Sequence, residues 1–143
     1  MVEPDTVQSL VNSYNSAIST WEKQGPLKRL GQLGTAAEVP LIRLLVEETD
    51  RQCVYSILWT LARMRLRSPN SVDAVVHHLS RKDVHIRCAA ACCLLHSSPK
   101  FKRHVPFIRK LLESENNEGA RSLLQMLLDR YPKSTGPERG PSA

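Results

Sequence analysis

Three valines, Val39, Val72 and Val105, stand 33 residues apart, and the residues after each of them recur as well. Eleven residues on come Asp50, Asp83 and Asn116, all residue types that cap helix N-termini. Seven further stand Ile57, Ala90 and Leu123, and four beyond those Leu61, Leu94 and Leu127. Small and apolar positions that return at fixed offsets through three windows mark stacked copies of one supersecondary unit, since a single unit cannot bury its own apolar face.

Each window reads as two helices. Thr35-Ala-Ala-Glu38 has the form of a capping box, and Val39, Ile42, Leu45 and Val46 come after it at helical spacing. Past Asp50 the stripe is Val54, Ile57, Leu58 and Leu61. The next window gives Val72, Val75, Val76 and Leu79, then Ile86, Ala90 and Leu94. The last gives Phe101, Val105, Ile108 and Leu112, then Ala120, Leu123, Leu124 and Leu127. Before the first valine, Val7, Leu10, Val11, Tyr14, Ile18 and Trp21 keep helical spacing, and Gly25-Pro26 breaks that run and opens a short helix from Leu27 to Leu33. The expectation is an all-α fold, a right-handed α-solenoid of about four antiparallel helix pairs. It occupies residues 1–132, with a disordered tail over 133–143, where polar residues, proline and glycine dominate.

The stretch Leu30-Gly-Gln-Leu-Gly34 followed by Ala37-Glu-Val-Pro-Leu-Ile-Arg-Leu-Leu45 resembles a HEAT repeat of the short, phycobilisome-lyase-like class. That family often carries proline early in the first helix of a repeat, which Pro40 and Pro106 match and Asp73 does not. It also favours Asp opening the second helix with a Val-Arg-like pair soon after. Asp83 with Ile86-Arg87 fits, Asp50 with Cys53-Val54 lacks the arginine, and Asn116 with Gly119-Ala120-Arg121 is shifted. The resemblance spans about residues 26–131. It implies the fold and leaves the function open, because such repeats host many roles.

No apolar run approaches the roughly 20 residues that a membrane helix needs, so no membrane association is expected. Three of the four cysteines, Cys88, Cys92 and Cys93, crowd one helix, a poor disulfide framework that points to a reducing, cytoplasmic setting. His85, Cys88, Cys92 and His96 share one helical stripe and are all zinc-ligating residue types. At about 1.5 Å rise per residue the ends of that stripe lie on the order of 16 Å apart, so only neighbours can share one ion. Ala89, Ala90, Ala91, Cys92 and Cys93 read instead as small residues for close helix packing. No HExxH, CxxC, phosphate-binding glycine loop or nucleophile elbow occurs. Neither a catalytic residue nor a cofactor is therefore expected.

Charge supplies the functional expectation. Residues 61–112 hold 11 Lys and Arg against 2 acids, a net +9 in a chain whose formal charge is +6. In an antiparallel stack the links between pairs lie on one edge. Arg63, Arg65 and Arg67 fall there, as do Lys100, Lys102, Arg103 and His104 on the next link and Arg130 and Lys133 after the last helix. The opposite edge carries Glu47, Glu48, Asp50, Glu113, Glu115 and Glu118, interrupted by Arg81-Lys82. Trp59 and Arg63, one turn apart, and His96 add a concave second-helix face with the aromatic–Arg character of a binding hot spot. These residues suit a non-catalytic adaptor for an acidic protein partner. The alternative is a nucleic-acid-binding protein that grips phosphates with the same ridge, and a lyase-like enzyme or its subunit is the third reading. On the last helix Met126 and Leu128 widen the apolar arc, from which a homodimer through that end is expected.

Overall fold

The computed structural model describes residues 4–132, with side chains from Thr6 onward. Eight α-helices run through it: α1 (Pro4–Ser16), α2 (Thr20–Gln32), α3 (Glu38–Glu47), α4 (Arg51–Met64), α5 (Pro69–Val76), α6 (Val84–Leu95), α7 (Val105–Ser114) and α8 (Glu118–Leu128). Short 3-10 turns cover Gly34–Ala37, His77–Ser80 and Lys102–His104, and there is no strand among the described residues. The chain is all-α. Residues 133–143, assigned to a tail, and Lys133 with them, lie outside the described residues.

The even-numbered helices begin where a short polar side chain takes up the free N–H groups of the first turn. Asp50 accepts from the Gln52 and Cys53 N–H groups at 2.9 and 3.1 Å, and Asp83 from that of His85 at 2.8 Å. At α8 the cap is Asn117, bonded by the Ala120 N–H at 2.9 Å, one residue past the expected Asn116. The odd-numbered helices are less regular. Two of them, α3 and α7, are entered through 3-10 turns without a side-chain cap, and α5 through Ser68 and Pro69. Val39, Val72 and Val105 thus share a sequence phase without sharing an environment. Val72 and Val105 are buried, whereas Val39 is exposed, and so is Val46. The buried face of α3 is Leu41, Leu44 and Leu45.

Each odd helix packs on the even helix next after it, and α2, α4, α6 and α8 pack in succession on one another. The contact of α2 with α4 is close: a Cβ added to Gly31 would stand 2.9 Å from Thr60 Cγ2. On α6, which packs against α4, α5 and α8, Ala89, Ala90, Ala91 and Cys93 are all buried, as small residues between closely packed helices would be.

Two local expectations are overturned. The first helix stops at Ser16, because Ser19 and Glu22 form a reciprocal cap for α2, each backbone N–H bonded by the other's side chain at 3.1 Å. Pro26 then sits inside α2, where it has no N–H for the ladder bond to the Glu22 carbonyl and its ring crowds that carbonyl. Ile18 and Trp21, expected in the core, are 93% and 85% exposed. The Thr35–Glu38 capping box also does not form. Gly34, at φ +69°, turns the chain into a 3-10 segment before α3 starts. The buried Glu38 carboxylate instead accepts from the Arg67 and Ser68 N–H groups, both at 2.9 Å, tying the entry of α3 to the entry of α5.

Candidate anion-binding edge

The links between helix pairs carry Arg65, Arg67, Lys100, Lys102 and Arg103, and the fold sorts these and the cations beside them into paired and unpaired. Asp73, on α5, takes Arg103 on one carboxylate oxygen and His104 on the other, the latter at 2.7 Å. The Arg103 hydrogen bond, then that of His104, holds the Asp73 carboxyl below the usual carboxylate range. Arg103, expected to face a partner, is thus a brace between α5 and the link before α7. On the other edge Arg87 forks onto Glu115 at 2.8 and 3.0 Å and donates to the Arg81 and Lys82 carbonyls. Arg51 stands 3.5 Å from Asp83, and Tyr14 donates to Glu48. Glu48, Asp50, Asp83 and Glu115 on that edge therefore serve as caps and cross-braces.

Apart from Arg67, the remaining described cations of the basic edge gather in two hollows. The larger, about 890 Å³, lies between the α6–α7 link and the end of α8. Lys100, Lys102, Arg109 and Arg130 line it together with Pro99, Val105, Pro106, Tyr131 and Pro132, and no carboxylate does. Its shape depends on Tyr131, which folds back after α8. The Tyr131 ring meets Phe101 edge-on at 5.1 Å and its hydroxyl accepts from the Phe101 N–H at 2.9 Å. Arg109 was not among the expected site residues. It lies one helical turn beyond Val105, the position that fixes α7 to the core, so the helical period carries it up to the link.

The smaller hollow, about 270 Å³, is lined by Trp59, Ala62, Arg63, Arg65 and His96, again without a carboxylate. Trp59 also borders a neighbouring groove with Gln24, Lys28, Tyr55 and Arg63. Its ring meets Tyr55 edge-on at 6.2 Å, and Tyr55 meets His85 in the same way at 6.4 Å. The indole N–H of Trp59 is buried with no acceptor among the described residues. Arg65, which ends α4, holds φ +64°, the one non-glycine residue at positive φ among those described. Arg67 is exposed beside these residues but lines neither hollow; its backbone N–H serves Glu38.

The expected residues thus divide. Trp59, Arg63, Arg65 and His96 come together, Lys100 and Lys102 join Arg109 and Arg130 in a separate cleft, and Arg103 is engaged elsewhere. Among the described residues no group of three His, Cys, Asp or Glu side chains is placed to hold a metal ion. Burial raises the Cys88 and Cys92 thiols above their ordinary range, which keeps them protonated near neutral pH. On α8, Met126 is 52% exposed, but Leu128 is only 8% exposed and packs in the core cluster that Tyr131 borders. The expected pair of exposed residues reduces to Met126. No helix among the described residues is long and apolar enough to cross a membrane. No family model matches the chain, and no curated protein matches it in sequence.

Proposed function

We propose that this chain is a non-catalytic adaptor, a right-handed solenoid of HEAT-like helix pairs that docks an acidic protein partner in the cytoplasm. The observation that carries the docking reading is the sorting of charge. Arg63, Arg65, Lys100, Lys102, Arg109 and Arg130 line hollows that contain no carboxylate, while the ion pairs of the described residues engage Arg51, Arg87, Arg103 and His104. Unpaired cations beside a partly buried tryptophan favour an anionic partner and orient its approach. The solenoid reading draws on the 33-residue recurrence and on the unbroken packing of α2, α4, α6 and α8.

A nucleic-acid reading is favoured by one feature, the Tyr55 and Trp59 rings beside Lys28 and Arg63, since bases stack on such surfaces between phosphate contacts. Titration of a Trp21→Phe variant, in which Trp59 alone reports, separates the two. With polyglutamate and with oligothymidylate at matched charge, the adaptor reading expects a saturable Trp59 signal for the polypeptide. That signal disappears in an Arg63→Glu/Arg65→Glu/Lys100→Glu/Lys102→Glu variant that stays helical by circular dichroism. Tighter binding of oligothymidylate, with log K falling steeply in log salt, moves the assignment to nucleic acid.

A further inference from the structure

The larger cleft differs from the rest of the basic edge because its cations arrive from three separate elements. Lys100 and Lys102 come from the α6–α7 link, Arg109 from the second turn of α7, and Arg130 from just beyond α8. None of the four is in an ion pair among the described residues. Both guanidinium groups are anchored on backbone carbonyls instead. Arg109 donates to the Tyr131 carbonyl at 3.5 Å, and Arg130 to that of Leu94 at 3.5 Å and to that of Leu95. A neutral carbonyl orients a guanidinium without cancelling its charge, so the remaining donors stay available to an anion.

Apart from Ser97 and Ser98, the wall beside these cations is mainly apolar. Pro99, Val105, Pro106, Pro132 and the Tyr131 ring supply it, and its three prolines have no N–H to offer. The cleft therefore suits a concentrated anionic head carried on an organic chain. A carboxylate brings one charge and two oxygens in a plane. A phosphomonoester brings about 1.5–2 charges near pH 7 and three acceptor oxygens in a tetrahedral array, which groups converging from separate elements can meet together.

The geometry points to this cleft as the seat of a phosphorylated serine or threonine on the partner, so that phosphorylation of the partner turns docking on. The inference rests on the adaptor reading and names the chemistry that its edge selects. Arginine and lysine clusters read phosphorylated segments in this way.

Three labelled peptides of sequence Ala-Leu-Pro-X-Pro-Leu-Ala, with X as serine, glutamate or phosphoserine, test it by fluorescence anisotropy in about 0.1 M salt. The phosphoserine peptide is expected to bind about tenfold tighter than the serine peptide and several-fold tighter than the glutamate one. Inorganic phosphate at millimolar concentration should compete. Arg109→Gln/Arg130→Gln should erase the preference. Because those arginines also hold backbone carbonyls, Lys100→Gln/Lys102→Gln provides a second variant, at exposed residues outside the ion pairs, and it should weaken the phosphoserine peptide by at least threefold. Equal binding of the glutamate and phosphoserine peptides, with polyglutamate still bound, overturns the phosphate assignment and leaves the adaptor reading standing. Failure of all these ligands, polyglutamate included, overturns both. If oligothymidylate displaces the phosphopeptide and depends on the same arginines, the phosphate belongs to nucleic acid and the proposal fails.

Discussion

Arg65 occupies a backbone conformation at positive φ, where a glycine would have no Cβ to crowd the backbone. At φ +64° and ψ 111°, directly after α4, it carries strain on the order of 1–3 kcal/mol. Arg65 stands at the rim of the hollow beside Trp59, where the proposed docking role would have its side chain meet the partner. Arg65→Gly should raise the free energy of unfolding by about 1 kcal/mol in urea, net of the roughly 0.5–1 kcal/mol that glycine loses through its freer unfolded chain. The same variant should weaken polyglutamate binding. Arg65→Ala keeps the Cβ and the strain, so it should weaken binding with no gain in stability. A loss of stability in Arg65→Gly would show that the side chain braces the link. His78 is the other residue whose setting has a measurable consequence. It is buried, its Nδ1 stands 3.1 Å from the Ala74 carbonyl, and desolvation lowers its pKa below the ordinary histidine value. The folded state therefore resists a proton that the unfolded chain accepts below about pH 6.5. The resulting stability is fully present above that pH and is lost as pH falls through the lowered folded pKa. The urea midpoint should drop between pH 7.5 and pH 5.5, and His78→Gln should reduce the drop. An unchanged drop assigns the titration to another group.

At the scale of helices, the tight contact of α2 with α4 turns on Gly31. Replacing a helical glycine by alanine gains about 1 kcal/mol in an open position. Here the new methyl would lie 2.9 Å from Thr60 Cγ2, closer than unstrained carbon contacts allow. Thr60→Ser removes that methyl and keeps the hydroxyl bond to the Ser56 carbonyl, now 2.9 Å. Gly31→Ala alone should therefore bring no gain in stability or a loss of about 1 kcal/mol, and in the Thr60→Ser background it should gain about 1 kcal/mol. The cycle closes with a coupling of at least roughly 0.5 kcal/mol. Equal effects in both backgrounds would mean that α2 and α4 do not approach this closely. Elsewhere polar ties between distant turns add to the apolar packing of the helices. Glu38 holds the entry of α5, Asp73 holds the link before α7, and Arg87 joins the turn before α6 to the turn before α8.

For the molecule as a whole, the question is how a stack of helix pairs ends. Beyond α8 no further pair stands among the described residues, and the chain closes that end itself by turning Tyr131 onto Phe101. Leu128 is thereby buried, and Met126 remains as the large exposed apolar side chain of α8. Burying one such side chain contributes about 1.5–3 kcal/mol, against about 8 kcal/mol for a micromolar dimer. Sedimentation at micromolar concentration should therefore return the monomer mass, unchanged by Met126→Arg. A dimer that Met126→Arg dissociates would show that the expected self-association through the last helix persists despite the buried Leu128.

Local chemistry made part of this structure legible in the chain itself. Asp50 and Asp83 capped helices as their residue type and offset required, and the stripes after them, from Val54 to Leu61 and from Ile86 to Leu94, were buried as their period required. Those interactions lie within one or two turns, so sequence alone determines them. The all-α class, the even-helix recurrence and the gathering of cations on the links all come from it. Tertiary structure decided everything that depended on a partner distant in sequence. Glu38 abandoned a local capping box for two N–H groups some thirty residues away, because its own carboxylate is buried and would otherwise go unbonded. Arg103 became a brace because the fold brought Asp73 to it, and Arg109 joined Lys100 and Lys102 because Tyr131 turned back. Ile18 and Trp21 left the core because the Ser19–Glu22 cap ended one helix and began another in front of them. A short-range period fixes which face of a helix is apolar. Which charge on the opposite face finds a counter-charge depends on how the helices stack, and among the described residues that left six cations unpaired along the two hollows of one edge.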